Sequence, residues 1–157
     1  MANLIIVDKE YTSPWVVRNV TLYVIDTNKT FGYYGGQGVL LDNPAYYMRL
    51  AKKHFCQEDG KMIQHFILSF DRHDMRHIDE NGAFFLGYAV CGLYPDYQMI
   101  FGVHQDTDYL HIHWVMNPVN LRTGKKFNFT FSESYELRAK IANFLEPYKI
   151  PCNLRTK

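Results

Sequence analysis

A surplus of charge of either sign is missing from this chain. Seventeen lysines and arginines stand against sixteen aspartates and glutamates, for a net charge of +1 over 157 residues. The strong basic footprint of a protein that binds nucleic acid through bulk charge is therefore absent. Binding through a local patch stays open, because potential depends on where charges cluster. Cysteine is scarce as well. Cys56, Cys91 and Cys152 are odd in number, widely spaced and without a C-x-x-C pair, so neither a zinc knuckle nor a disulfide framework is indicated. A reducing, cytoplasmic setting is the simpler expectation. The sequence contains no run of roughly 18 apolar residues that would span a bilayer. Its apolar start, Met1 to Asp8, has neither a basic n-region nor a cleavage site and reads as a strand, not a signal peptide. Repeats, low-complexity tracts and linkers are lacking too, so residues 1–157 are expected to form one domain.

Aromatic residues are plentiful instead, at 16% with 12 Tyr and 11 Phe. Strand and helix signals alternate along the chain. Leu4 to Val7 reads as a strand. Ser13-Pro14 reads as an N-cap and first helical position, with helical spacing of Trp15, Val16, Val20, Tyr23 and Val24 to about Asp26. The glycine-rich Phe31–Leu41 is an irregular strand or loop. Asp42-Asn43-Pro44 starts a helix to about Phe55, on which Arg49, Lys52 and Lys53 are expected to form a solvated face. Gln64–Phe70 alternates as a strand, Asp79–Cys91 is a helix ended by Gly92, and Tyr97–His104 and Tyr109–Val119 are strands around a hairpin. Thr123-Gly124 marks a turn, and Ser132 with Glu133 and Glu136 starts a last helix to about Glu146. The order predicts an α+β fold: a largely antiparallel sheet of about five strands, with helices packed on one face.

Histidines concentrate the chemistry. In His111-Ile112-His113-Trp114-Val115-Met116-Asn117, strand alternation puts His111, His113, Val115 and Asn117 on one face and Ile112, Trp114 and Met116 on the other. If the preceding strand pairs His104 with His111, Gly102 falls opposite His113, and Met99, Phe101 and Val103 join the apolar face. A one-residue slip would destroy that agreement. Directly paired Cβ atoms lie about 4.5–5.5 Å apart, close enough for two imidazoles to share an ion. Three imidazoles with an unfilled position suit a catalytic divalent metal, and Gly102 is expected to leave the space through which a substrate oxygen approaches. Asp106 or Asp108 is placed to orient a ligand histidine. His65 and Ser69 share the strand face opposite Phe66, Leu68 and Phe70, a face that would border the site; Asn117 would either reach it or cap the turn at Pro118.

The run His104-Gln105-Asp106-Thr107-Asp108-Tyr109-Leu110-His111-Ile112-His113, followed by Asn117 and Gly124-Lys125-Lys126, closely resembles the third motif of the conjugative relaxase or mobilisation nuclease family. These are histidine-hydrophobe-histidine (HUH) endonucleases, and the likeness is to a MOB-P-like relaxase domain. His65-Phe66-Ile67-Leu68-Ser69-Phe70 resembles the second motif, and Leu22-Tyr23-Val24-Ile25-Asp26-Thr27-Asn28-Lys29-Thr30 the first. The three occur in the family's order over about residues 15 to 130. The resemblance implies site-specific nicking and rejoining of one strand at a transfer origin, for plasmid mobilisation. Tyr23 would be the nucleophile, joined to the 5′ end, and His104, His111 and His113 the metal ligands. Mn²⁺ or Mg²⁺ is expected in function, and Zn²⁺, Ni²⁺ or Co²⁺ also suits imidazole donors. A phenol ionises at about pH 10, so a tyrosine nucleophile calls for a metal-bound phosphate. Tyr33, Tyr34 and Tyr11 are the fallback nucleophiles.

Lys29, Arg122, Lys125 and Lys126 flank the motifs and are expected to contact phosphates of single-stranded DNA, with Phe31, Tyr33 and Tyr34 available to stack on bases. Accessory or coupling proteins are the other expected partners. The chain is shorter than relaxases with long C-terminal extensions, so it would be an isolated domain or a compact solo member. Three alternatives remain. A short single-strand transposase of the same superfamily would draw its tyrosine from a C-terminal helix, Tyr135 or Tyr148. A phosphodiesterase would use water. A DNA-binding relaxase-like module would keep the fold without turnover.

Overall fold

The computed structural model describes residues 1–156. Six strands form one sheet: β1 (Ala2–Ile6), β2 (Tyr34–Gln37), β3 (Gln64–Ser69), β4 (Met99–His104), β5 (His111–Met116) and β6 (Cys152–Thr156). Their spatial order is β2-β4-β5-β3-β1-β6. All neighbours are antiparallel except β1 and β6. The helices are α1 (Trp15–Val24), the single turn α2 (Thr27–Thr30), α3 (Pro44–His54), α4 (Glu80–Cys91) and α5 (Phe131–Leu145). The α+β class and the mostly antiparallel sheet agree with the sequence reading. The strand number rises to six because Cys152–Thr156, after Pro151, adds a short strand parallel to β1.

Helices pack on both faces of the sheet, not one. Alternation on the central strands explains this. Phe66, Leu68, Phe101, Val103, Ile112 and Trp114 face α4 and α5 and form the larger core with Ala83, Leu86, Leu137 and Ile141. Ile100 and Val115 point the other way and meet Val17 and Val24 of α1 and Ala45 and Met48 of α3. The second face is therefore apolar at one end, where α1 and α3 cover it, and carries the histidines at the other. The indole of Trp114 is fully buried against Phe66, and its N–H donates to the Gly87 carbonyl at 3.1 Å. A buried ring N–H without such a partner would cost roughly 1–3 kcal/mol.

Capping chemistry sets several boundaries. Asn43 caps α3 through its side chain and Gly92 ends α4, as their positions predict, whereas Asp79, expected as the first residue of α4, is its side-chain cap. The α1 helix stops at Val24 and not at Asp26, because Asp26 accepts from the Asn28 N–H and caps α2. Pro14 rather than Ser13 is the residue before α1. The last helix starts at Phe131: Thr130, not Ser132, is its cap. Thr130 Oγ accepts from the Glu133 N–H while Glu133 accepts from the Thr130 N–H, a reciprocal box that satisfies two end donors at once.

Candidate active site

The hairpin register is the one that side-chain alternation requires. His104 pairs with His111 and Gly102 with His113. On the other side of β5, Ser69 of β3 pairs with His111, and Ile67 with His113. His104, His111 and His113 thus share a face with His65 and Ser69. The rings of His104 and His113 stack at 4.2 Å between centroids, and His65 and His113 at 5.5 Å, while His111 and His113 stand 6.3 Å apart.

Gly102 does not open a channel. A Cβ there would run into the Val24 carbonyl at the end of α1. The glycine is a notch that seats the helix against the sheet. The same carbonyl receives a hydrogen bond from His104 Nε2 at 2.9 Å. This contact brings the last turn of α1 over the histidines, and Tyr23 comes with it. The Tyr23 ring lies edge-on to His104 at 5.1 Å and to His113 at 5.6 Å. Tyr23 is 44% exposed, so it lines the site without being sealed into it.

Electrostatics favour neutral imidazoles. Burial lowers the pKa of all four histidines, that of His65 to about 4 and that of His113 to about 2. Neutral imidazole is the ligand form, so the donor set fits a divalent ion in kind. The hydrogen bonds specify which nitrogens are free. A carbonyl only accepts, so His104 Nε2 carries a proton and leaves Nδ1. The Thr107 hydroxyl donates to the Tyr109 carbonyl and faces His111 Nδ1 at 3.4 Å, leaving His111 Nε2. His113 Nδ1 lies 3.2 Å from His65 Nε2, and His65 Nδ1 lies 3.0 Å from the Tyr11 hydroxyl. If His113 offers Nε2 to an ion, its Nδ1–H donates to His65, and His65 in turn donates to Tyr11. A ligand histidine held by its second nitrogen is the usual outer support of a metal. The three histidines do not all bring a nitrogen within 4.8 Å of one another; among the described residues only Asp71, His73 and Asp74 do so. In that second cluster both carboxylates already hold the Met1 ammonium, at 2.6 and 2.9 Å.

The remaining site residues divide by location. Lys29 is at the site, with its ammonium 5.3 Å from the Tyr23 ring centroid. It pairs with Asp106 at 2.7 Å, an ion pair that raises the Lys29 pKa and lowers that of Asp106. Asp106 therefore holds a lysine, not a histidine ring; Asp108 faces Arg72. Asn117 is four residues beyond His113, about 13 Å along a strand, and is fully buried. It accepts from Lys52 Nζ at 2.6 Å and donates to the Gln98 side chain and the Met48 carbonyl. It fastens α3 to the sheet and does not reach the histidines. Lys52, expected on a solvated face, is accordingly 2% exposed. Arg122, Lys125 and Lys126 sit in the turn beyond Asn117, where Arg122 pairs with Asp96 and the Lys126 ammonium meets the Asp59 carbonyl. Tyr33 donates to Asn81 of α4, and Tyr34 pairs with Gly102 one strand farther out. Sequence reasoning missed Tyr11 as the support of His65 and the Val24 carbonyl as the partner of His104. Spacing alone signals neither.

Residues 23–149 match the relaxase family described as MobA/VirD2-like, nuclease domain. The chain belongs to that family. Relaxase likeness extends to a curated relative: 44 residues are 41% identical to Protein rlx of Staphylococcus aureus, spanning 28% of this chain and 13% of that protein. The fold resembles the MobM relaxase domain (MOBV; Mob_Pre) bound to 26-nucleotide pMV158 oriT DNA, with a TM-score of 0.62 at 12% identity, over 98% of this chain and 88% of that one. At such low identity the likeness shows a shared fold. Among the described residues no helix is long and apolar enough to cross a membrane.

Proposed function

We propose that this relaxase nuclease domain, residues 1–157, cuts one DNA strand at an origin of transfer and rejoins it through a covalent tyrosine adduct. The observation that carries the reading is the seat of Tyr23, edge-on to His104 and His113 and beside the Lys29 ammonium. In the proposed step Tyr23 Oη attacks the scissile phosphorus and gives up its proton. The bond from phosphorus to the 3′ oxygen breaks, and that oxygen takes up a proton. The 5′ phosphate stays on the tyrosine. One phosphodiester replaces another, so a returning 3′ hydroxyl can reverse the step without ATP. A divalent ion on His104, His111 and His113, Mn²⁺ or Mg²⁺ in function, would polarise a phosphoryl oxygen and stabilise the charge of the transition state. His65 and Tyr11 would orient His113. Lys29 would sit beside the phosphate, its charge partly offset by Asp106.

A tyrosine from α5 is less well placed. Tyr135 packs against Phe131 at 4.6 Å on a helix that covers the opposite face of the sheet. Denaturing electrophoresis of single-stranded oligonucleotides carrying transfer-origin sequences, incubated with Mn²⁺ or Mg²⁺, tests the reading. The expected products are a free 3′ hydroxyl fragment and a protein-linked 5′ fragment, both lost in Tyr23→Phe and kept in Tyr135→Phe. Cleavage without adduct would make water the nucleophile. Loss in Tyr135→Phe alone would make the arrangement transposase-like. Neither product would leave a DNA-binding module.

A further inference from the structure

We infer that the groove between α1 and α3 is a second DNA-binding surface, which holds the single strand running to or from Tyr23; the inference rests on the nicking reaction proposed above. The groove encloses about 520 Å³, and Arg18, Arg49 and Lys53 line it against one carboxylate, Glu58. None of the three cations has a carboxylate within 4.0 Å among the described residues, whereas Lys29, Arg72, Arg122 and Lys140 each do. In a chain of net charge +1, three unpaired cations around one acid are a local concentration of the kind a phosphate backbone seeks. A comparable cavity beside β1 carries Lys9, Lys61 and Lys126 with two carboxylates, Asp8 and Glu10, where the groove has one, and its Lys126 is bound to the Asp59 carbonyl.

Aromatic surface accompanies the charge. Tyr46, on the groove wall, is 55% exposed and braced edge-on by Tyr47 at 5.2 Å. Trp15, the first residue of α1, is 70% exposed. Exposed aromatic rings next to cations form the usual platform for single-stranded nucleic acid. Helical spacing joins the groove to the reaction centre. Trp15, Asn19 and Tyr23 follow one another at four-residue intervals on the exposed side of α1, with exposed Arg18 and Leu22, also four apart, beside them. Arg18 lies five residues before Tyr23, about 7.5 Å along the axis, on a helix about 10–12 Å across. A strand leaving Tyr23 crosses Leu22 and Asn19 and drops into the groove within a few nucleotides.

Fluorescence anisotropy with a long labelled oligothymidylate, across a range of salt concentrations, tests the groove independently of any nick sequence. The Arg18→Ala, Arg49→Ala, Lys53→Ala triple variant should bind more weakly. Its salt slope should fall by about 2, near 0.7 for each phosphate that is no longer neutralised. Tyr46→Ala should weaken binding by at least about five-fold, the lower end for a base stacked on an aromatic ring. The matching triple variant of Lys9, Lys61 and Lys126 should change the slope less. An unchanged slope in a groove variant that melts like the wild type overturns the inference. If the triple variant melts early, the single exposed Lys53→Gln decides, by a fall of about 0.7 or none. Adduct formation with groove variants that bind normally would sink the groove and spare the reaction. Weakened binding in a protein that never forms an adduct would do the reverse.

Discussion

Replacing Lys52 by methionine removes a buried amine while keeping its aliphatic stem. Lys52 is 2% exposed, donates to Asn117 Oδ1 at 2.6 Å and has no carboxylate partner among the described residues. Burial, reinforced by the charge of Lys126, pushes its pKa from 10.5 down to about 7. Between those two values the unfolded chain keeps the proton and the folded chain sheds it. Stability therefore rises with pH through that window, and the cost of the buried charge is fully present below it. Integrating from about pH 7 to about pH 8.5 gives a gain of about 1.6 kcal/mol from this one group. Urea unfolding followed by tryptophan fluorescence reports it, because Trp114 is fully buried against Phe66.

Other groups titrate in the same range, so the informative quantity is the difference between wild type and Lys52→Met. The Met1 amine is the main one. Its ion pairs with Asp71 and Asp74 raise its pKa above 8.0, so it contributes stability that is lost as pH rises, opposite in sign to Lys52. That contribution is common to both proteins and cancels. The cysteines and tyrosines raised by burial act mainly above their unfolded values of 9.0 and 10.0, past pH 8.5, and they too are common to both proteins. Parallel profiles for the two proteins would refute the reasoning and mean that Lys52 stays charged in the fold.

Gly102→Ala drives a methyl group into the Val24 carbonyl; it should destabilise the fold by about 1–3 kcal/mol and cut adduct yield beyond what the folded fraction accounts for. An unaffected yield would detach Tyr23 from this joint. Calorimetric Mn²⁺ titration should show binding abolished by His111→Ala or His113→Ala and weakened about 10- to 100-fold by His65→Ala. Asp71→Asn with His73→Ala should leave the titration unchanged, and a loss there would move the ion to the cluster around the Met1 amine.

Strong local periodicity is what made the fold legible. β3, β4 and β5 alternate so regularly that their register follows from keeping Phe101, Val103, Ile112 and Trp114 on one side, and the pairing is as expected. Elements held by tertiary interactions were harder to read. The strand β6 is five residues long and exists by pairing with β1. The turn α2 depends on Asp26 as its cap and on hydrogen bonds from Gln105, whose backbone N–H and side-chain amide reach the Lys29 and Thr30 carbonyls. Lys52 belongs with these. A lysine between Ala51 and Lys53 on a helix carries the signature of solvent, and only the arrival of Asn117 from the end of β5 makes it a buried donor.

The site was legible where one hairpin encodes it and hidden where two elements meet. Alternation alone put His104, His111 and His113 on one face, but it read Gly102 as an opening for substrate. A glycine opposite a histidine has two physical uses, to admit a ligand or to admit backbone, and sequence does not distinguish them. Here the Val24 carbonyl fills the space and accepts the proton of His104 Nε2 in a hydrogen bond. One small residue on β4 therefore sets both the tautomer of a proposed ligand and the height of α1 above the sheet. Tyr23, one residue before Val24, is carried onto the histidines by the same joint. The three sequence motifs meet there: the first motif supplies the carbonyl, the third the imidazoles, with the notch two residues before it, and the second, through His65, the hydrogen bond that orients His113.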